Sequence, residues 1–106
     1  MDKRQAPRVS LMAELTYQME GVAITKRVSD ISEGGLFIDT PVPSDVGTKL
    51  RLRFVLDGAT VEAEGVVAYS QPFIGMGIEF TRVVGDGIER IHQFVTRTLT
   101  PAGVGF

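Results

Sequence analysis

Asp30-Ile31-Ser32-Glu33-Gly34-Gly35 sets a carboxylate, a hydroxyl and two glycines in one short stretch between two strand-like runs. A carboxylate accepts hydrogen bonds in pairs, which suits the adjacent N1–H and N2–H₂ donors on guanine's Watson–Crick edge. Ser32 can donate or accept beside Asp30. Gly34 and Gly35 would let backbone N–H groups come close to a phosphate or a ribose. Upstream, Lys3-Arg4-Gln5-Ala6-Pro7-Arg8 gathers cations, with only Asp2 to oppose them. An arginine fork matches guanine O6 and N7, or two phosphate oxygens, and its plane can stack on a base. Ala6 precedes Pro7 and is pushed toward extended geometry. At about 3.1 Å per residue, Arg4 and Arg8 then stand roughly 12 Å apart, a span that fits a ligand of dinucleotide size better than one carboxylate. From the residues alone two readings stay open. The two clusters form one anion- and guanine-binding site, or they are an Asx- or Ser-type turn and a solvated arm.

Other chemistry is poorly supplied. The chain has no cysteine, hence no disulfide framework, thiolate metal site or cysteine nucleophile. His92, the only histidine, has no carboxylate partner at a useful spacing and reads as a surface or helix-packing residue. No serine sits in a nucleophile elbow and no Walker loop occurs. Gly75-Met76-Gly77-Ile78-Glu79-Phe80 lacks the third glycine and the following helix of a dinucleotide fingerprint. We therefore expect no catalysis, no cofactor and no bound metal.

The positioning elements read mainly as strands. Val9 to Tyr17 alternates apolar and polar residues, Gln18 to Gly21 reads as a turn, and Val22, Ile24 and Val28 share one face of the next strand. The Asp30–Gly35 turn leads to a short strand at Leu36–Asp39. Thr40 to Gly47 is a loop by composition. In Thr48 to Leu56, Leu50, Leu52, Phe54 and Leu56 alternate with Lys49, Arg51 and Arg53. Asp57-Gly58 then signals a type I′ hairpin. That turn sets Arg53 opposite Glu62 and Arg51 opposite Glu64, so these arginines read as cross-strand partners rather than a nucleic-acid surface. Ser70-Gln71-Pro72 breaks the strand Thr60–Tyr69. A further strand at Phe73–Phe80 puts Met76, Ile78 and Phe80 on one face and Gly75, Gly77 and Glu79 on the other. Asp86 and Glu89 mark a helix start, Ile88, Ile91, Val95 and Leu99 recur at helical spacing, and Pro101 ends the helix.

With 106 residues and 43% hydrophobic content the chain affords one core. We divide it into an N-terminal arm (1–8), a barrel with terminal helix (9–99) and a tail (100–106). Six short strands and one helix imply an antiparallel barrel or sandwich closed by that helix. No apolar run approaches the ~20 residues of a membrane span, and no signal peptide is evident. A cytoplasmic protein without membrane insertion, monomeric or homodimeric, is expected. A net charge of −2 argues against coating DNA or RNA.

Together these features resemble the PilZ domain family, the bacterial receptor module for cyclic di-GMP. The family pattern is R-x-x-x-R in an N-terminal arm, then (D/N)-x-S-x-x-G some twenty or more residues on. Arg4 and Arg8 match the first part, and Asp30, Ser32 and Gly35 the second. Gly75 to Phe80 is similar to the glycine-containing strand near the end of such domains. The resemblance implies a mainly β fold, a six-stranded antiparallel barrel with a C-terminal α-helix. It implies that Arg4 and Arg8 embrace the guanines and phosphates, and that Asp30 and Ser32 bond a guanine. Gly35 would leave room at the turn. Lys3 precedes the first arginine, at the position that influences whether one ligand or an intercalated pair binds. The implied function is a stand-alone cyclic di-GMP receptor that changes conformation and engages a protein effector, in motility or biofilm control. The alternative is a nucleotide-independent adaptor of a pilus or motility apparatus. An RNA-binding barrel is a third class, against which the paired Arg51 and Arg53 speak.

Overall fold

The computed structural model describes residues 7–99. Lys3, Arg4 and the tail 100–106 lie outside the described residues. The elements are β1 (Val9–Met19), β2 (Val22–Ser32), β3 (Gly35–Asp39), β4 (Lys49–Leu56), β5 (Ala59–Gln71), β6 (Gly75–Val83) and α1 (Gly87–Leu99). The strands close into a barrel in the order β1-β2-β3-β6-β5-β4, with every neighbouring pair antiparallel. Closure satisfies both edges of the sheet, which an open sheet of this size would leave unpaired.

The β4–β5 hairpin forms in the register that its turn and charges dictate. Asp57 and Gly58 both take positive φ, 52° and 79°, as a type I′ turn requires. Arg53 then pairs with Glu62, Leu52 with Ala63 and Phe54 with Val61. The Arg53–Glu62 ion pair forms at 3.3 Å, and both partners are exposed. Arg51 lies opposite Glu64 as expected, but the Glu64 carboxylate reaches Arg82 on β6 at 3.4 Å. Pairs this exposed contribute only ~0.2–1 kcal/mol each.

Several strand ends lie beyond the composition breaks. Glu20 and Gly21 alone make the first turn, with φ of 53° and 80°, so β1 runs on to Met19. Ser70 and Gln71 belong to β5, and β6 begins at Gly75, not Phe73. The larger correction concerns the motif itself. Asp30, Ile31 and Ser32 are strand residues of β2, and only Glu33 and Gly34 turn.

Inward residues from all six strands fill the barrel, among them Leu15, Val28, Ile31, Leu36, Ile38, Phe54, Val67 and Met76. Ile91 and Val95 of α1 complete this core, so the helix packs on the barrel. Its apolar face is narrower than the spacing suggested, since Ile88 and Leu99 remain about half exposed. Asp86 forms an i,i+4 ion pair with Arg90 at 3.3 Å. Two further side-chain contacts pin α1 to hairpin turns: Arg97 to Asp57, and His92 to Glu33.

Two of the barrel's register shifts decide what faces outward around Asp30 and Tyr69. Val28 pairs with Ile38 but Asp30 pairs with Phe37, so Ser29 is an extra residue in β2. Val67 pairs with Ile78 but Tyr69 pairs with Gly77, so Ala68 is an extra residue in β5. An extra residue shifts the two-residue alternation by one. Val28 and Ile31 are thus both buried, although strict alternation would give them opposite faces. Asp30 and Tyr69, which strict alternation would send into the core, face outward.

Candidate functional site

The two bulges create one transverse row on the outer wall. Asp30 of β2 pairs with Phe37 of β3, Phe37 with Gly77 of β6, and Gly77 with Tyr69 of β5. Arg8, just before β1, reaches across this row. Its Nη1 donates to Asp30 Oδ1 at 3.0 Å, and its Nη2 donates to Tyr69 Oη at 3.3 Å. The two parts of the motif, 22 residues apart in sequence, therefore meet in space. Desolvation by partial burial lowers the Arg8 pKa, but Tyr69 and then Asp30 outweigh it, leaving the net shift upward. The guanidinium is held charged and oriented. Side chains of Arg8 and Asp30 keep 49% and 30% exposure, so water screens the pair and a ligand can open it at small cost.

Ser32 and the glycines act within the fold. Ser32 is almost fully buried, and its Oγ accepts a hydrogen bond from Gly34 N–H at 3.2 Å. That closes the turn, one of the two roles the residues left open. Phe80 N–H donates to Gly34 O at 2.8 Å and ties the turn to β6. Gly35 pairs with Glu79, and a Cβ there would overlap the carbonyl oxygen of Ile78. Its missing side chain makes room for β6. Gly34 has open space around its Cα, with only Ser32 Oγ near a built Cβ, at 4.0 Å.

Sequence reasoning missed three participants. Glu33, inside the motif, meets His92 of α1: Nδ1 lies 2.6 Å from Oε2. The expectation that His92 has no carboxylate partner is thus corrected. The partner sits 59 residues away and is brought near by barrel closure. Phe37 and Tyr69 are the other two. Tyr69 reads from the sequence only as the end of a strand, and the Ala68 bulge that turns it outward leaves no mark in the apolar pattern. The signal that could have found them is the Gly75-Met76-Gly77 pair of strand glycines, which marks a close approach. Here the approaching groups are the Tyr69 ring at Gly77, and the Ile38 carbonyl oxygen and the Phe37 ring at Gly75.

The other cationic surface is differently built. A shallow cleft of about 280 Å³ between β1, β4, β5 and β6 is lined by Arg51, Arg53 and Arg82, together with Glu62 and Glu64. Two of its three arginines are engaged by those glutamates, which leaves little field for an anion. Among the described residues no group of three or more acidic, histidine or cysteine side chains could hold a metal ion. No helix among them is long and apolar enough to cross a membrane.

A small closed barrel with a cationic, aromatic outer wall is the class that fold and site define. The PilZ domain family model matches residues 2–97, and the chain belongs to that family. No curated protein matches it. Among solved structures it is similar to the inhibitor of motility MotI/DgrA of Bacillus subtilis, at 23% identity and TM-score 0.76, covering 96% of this chain and 54% of that one. The MrkH–c-di-GMP complex of K. pneumonia is similar at 18% identity and TM-score 0.73, covering 93% and 53%. The PilZ domain of YcgR from Escherichia coli, solved with c-di-GMP, is similar at 11% identity and TM-score 0.61, covering 92% and 90%. The chain spans about half the length of the MotI/DgrA and MrkH chains.

Proposed function

We propose that this chain is a cyclic di-GMP-binding receptor or adaptor module whose site is the Arg8–Asp30–Tyr69 wall. The observation that carries the proposal is the Arg8–Asp30 contact. It joins the arm motif and the strand motif on one accessible surface and sets a guanidinium fork beside a carboxylate. The c-di-GMP complexes among the structural neighbours support the choice of ligand. In this reading the ligand opens the ion pair. Arg8 turns to phosphate or to the O6 and N7 edge of one guanine, and Asp30 accepts from the N1–H and N2–H₂ of a guanine. Arg4 and Lys3 supply further cations from the arm. Ser32, Gly34 and Gly35 hold the strand and turn that present Asp30. Ordering of the arm over the wall would change the surface offered to a protein effector.

Guanine selectivity tests the reading. Asp30 can only accept, so it matches guanine's donor pair, whereas adenine offers no such adjacent donors. Parallel calorimetric titrations should show cyclic di-GMP binding at least about 10-fold tighter than cyclic di-AMP, the worth of one specific bidentate contact. Equal affinities would remove Asp30 from base reading.

A further inference from the structure

The barrel end away from α1 carries apolar residues on its outside. Its connections are the Glu20-Gly21 turn, residues 40–48 and the Pro72-Phe73-Ile74 turn. The long connection is tied down along its length. Thr40 N–H donates to Ile74 O at 3.2 Å, and Phe73 N–H donates to Pro41 O at 3.0 Å. Ser44 donates to two methionine sulfurs, from its N–H to Met76 at 3.4 Å and from its Oγ to Met19 at 3.3 Å. Gly47 N–H donates to Val67 O at 2.8 Å. Between these ties Val42 stays 80% exposed, and on the adjoining turn Phe73 and Ile74 are 86% and 61% exposed. Phe73 is the anomaly. Ile74 N–H donates to Gln71 O at 2.9 Å and closes a four-residue turn with Pro72 second and Phe73 third. Phe73 takes a φ of 69°. With proline second, this is the type II turn, whose third position calls for glycine or asparagine. A bulky residue there strains the backbone. No burial within the chain offsets that strain, so the fold does not account for this phenylalanine. Burial against another molecule would.

A receiving surface lies on the outer wall of β4, β5 and β6. It is a shallow hollow of about 550 Å³, lined by Leu50, Gly65 and Val66 together with the cations Lys49 and Arg51. Glu64 also lines it, but its carboxylate is taken by Arg82. Among the described residues neither Lys49 nor Arg51 forms an ion pair. The barrel end that holds Phe73 has the opposite sign. Its three connections contain Glu20 and Asp45 and no lysine or arginine.

We propose that the Phe73 knob of one copy of this chain docks in the Lys49–Arg51 hollow of another, so that the chain associates with itself through two different faces. Phe73, flanked by Val42 and Ile74, is the aromatic anchor, and a hollow of this size has room for its ring. The acids around the knob meet the two cations of the hollow. Knob against knob would oppose like charges, and an anionic lipid surface would repel the same acids. Both patches are small, so the association is weak. It uses neither part of the motif and does not depend on the cyclic di-GMP reading.

The test is sedimentation velocity on the purified chain without nucleotide, with thermal melts of each variant. From ~10 μM to ~1 mM the weight-average mass of wild type should rise with concentration. Phe73→Gly removes the knob, and Lys49→Glu with Arg51→Gln disables the hollow. Each variant should weaken self-association at least about 10-fold, as loss of an anchor does. Mixed in equal amounts, the two variants should pair as dimers and go no further, because one keeps the hollow and the other the knob. Phe73→Gly should melt no lower than wild type, since glycine adopts this φ freely. A lower melting temperature would show that Phe73 serves the fold and would overturn the proposal. So would a wild type that stays monomeric throughout, association unchanged in Phe73→Gly, or variants that ignore each other when mixed. None of these results bears on nucleotide binding.

Discussion

Gly35→Ala should destabilise the barrel by roughly 3 kcal/mol, the upper end of the cost of overpacking. The added Cβ would meet the Ile78 carbonyl oxygen, with Ile78 C at 3.0 Å and Glu79 Cα at 3.3 Å. These are backbone atoms of the strand paired to β3, so no rotamer change relieves the overlap. Either β3 and β6 separate or their ladder bends. Gly34→Ala is the matched control. Its built Cβ has only Ser32 Oγ nearby, at 4.0 Å, and no left-handed φ is required there. It should cost less than about 1 kcal/mol. Urea denaturation of the two variants gives the comparison. Equal midpoints would show that the motif's last glycine serves the ligand alone and not the fold.

Arg8→Ala should leave stability within about 1 kcal/mol of wild type, because the lost ion pair is exposed. It should weaken cyclic di-GMP binding by about 1–3 kcal/mol, which is what one bidentate arginine contact is worth. The two effects part company because Arg8 holds nothing together in the core. Its contacts are Asp30 and Tyr69, both at the surface. Arg8→Lys should restore little, since an ammonium presents no planar fork. Calorimetry on both variants checks this. Should removal of Arg8 tighten binding, the pair with Asp30 would be a block on the site rather than a part of it.

The fold was legible where two independent signals agreed. Asp57-Gly58 demanded a type I′ turn, and the facing charges of Arg53 and Glu62 demanded the same register, so the β4–β5 hairpin reads straight from the chain. The Asp30–Gly35 stretch was legible as a candidate site but not as a shape. Glycines and an Asx residue suggested a turn, yet pairing to β1 and β3 keeps Asp30, Ile31 and Ser32 in the strand, with Ile31 fully buried. What the sequence could not disclose depends on bulges and closure. Ser29 and Ala68 carry no turn signal, yet each reverses the facing of the residues after it. Tyr69 and Phe37 meet only because β6 lies between their strands, and His92 meets Glu33 only because α1 packs on the barrel beside the β2–β3 turn. Such contacts are set by tertiary structure, which apolar periodicity does not encode.

The most direct test is amide chemical-shift mapping of ¹⁵N-labelled protein during titration with cyclic di-GMP. Saturable shifts should be largest for Arg8, Asp30, Phe37, Gly77 and Tyr69, the row on the outer wall, with smaller changes along the Glu33–Gly34 turn. Shifts centred instead on Arg51, Arg53 and Arg82, or none at ~100 μM ligand, would contradict the assignment of this wall as the cyclic di-GMP site.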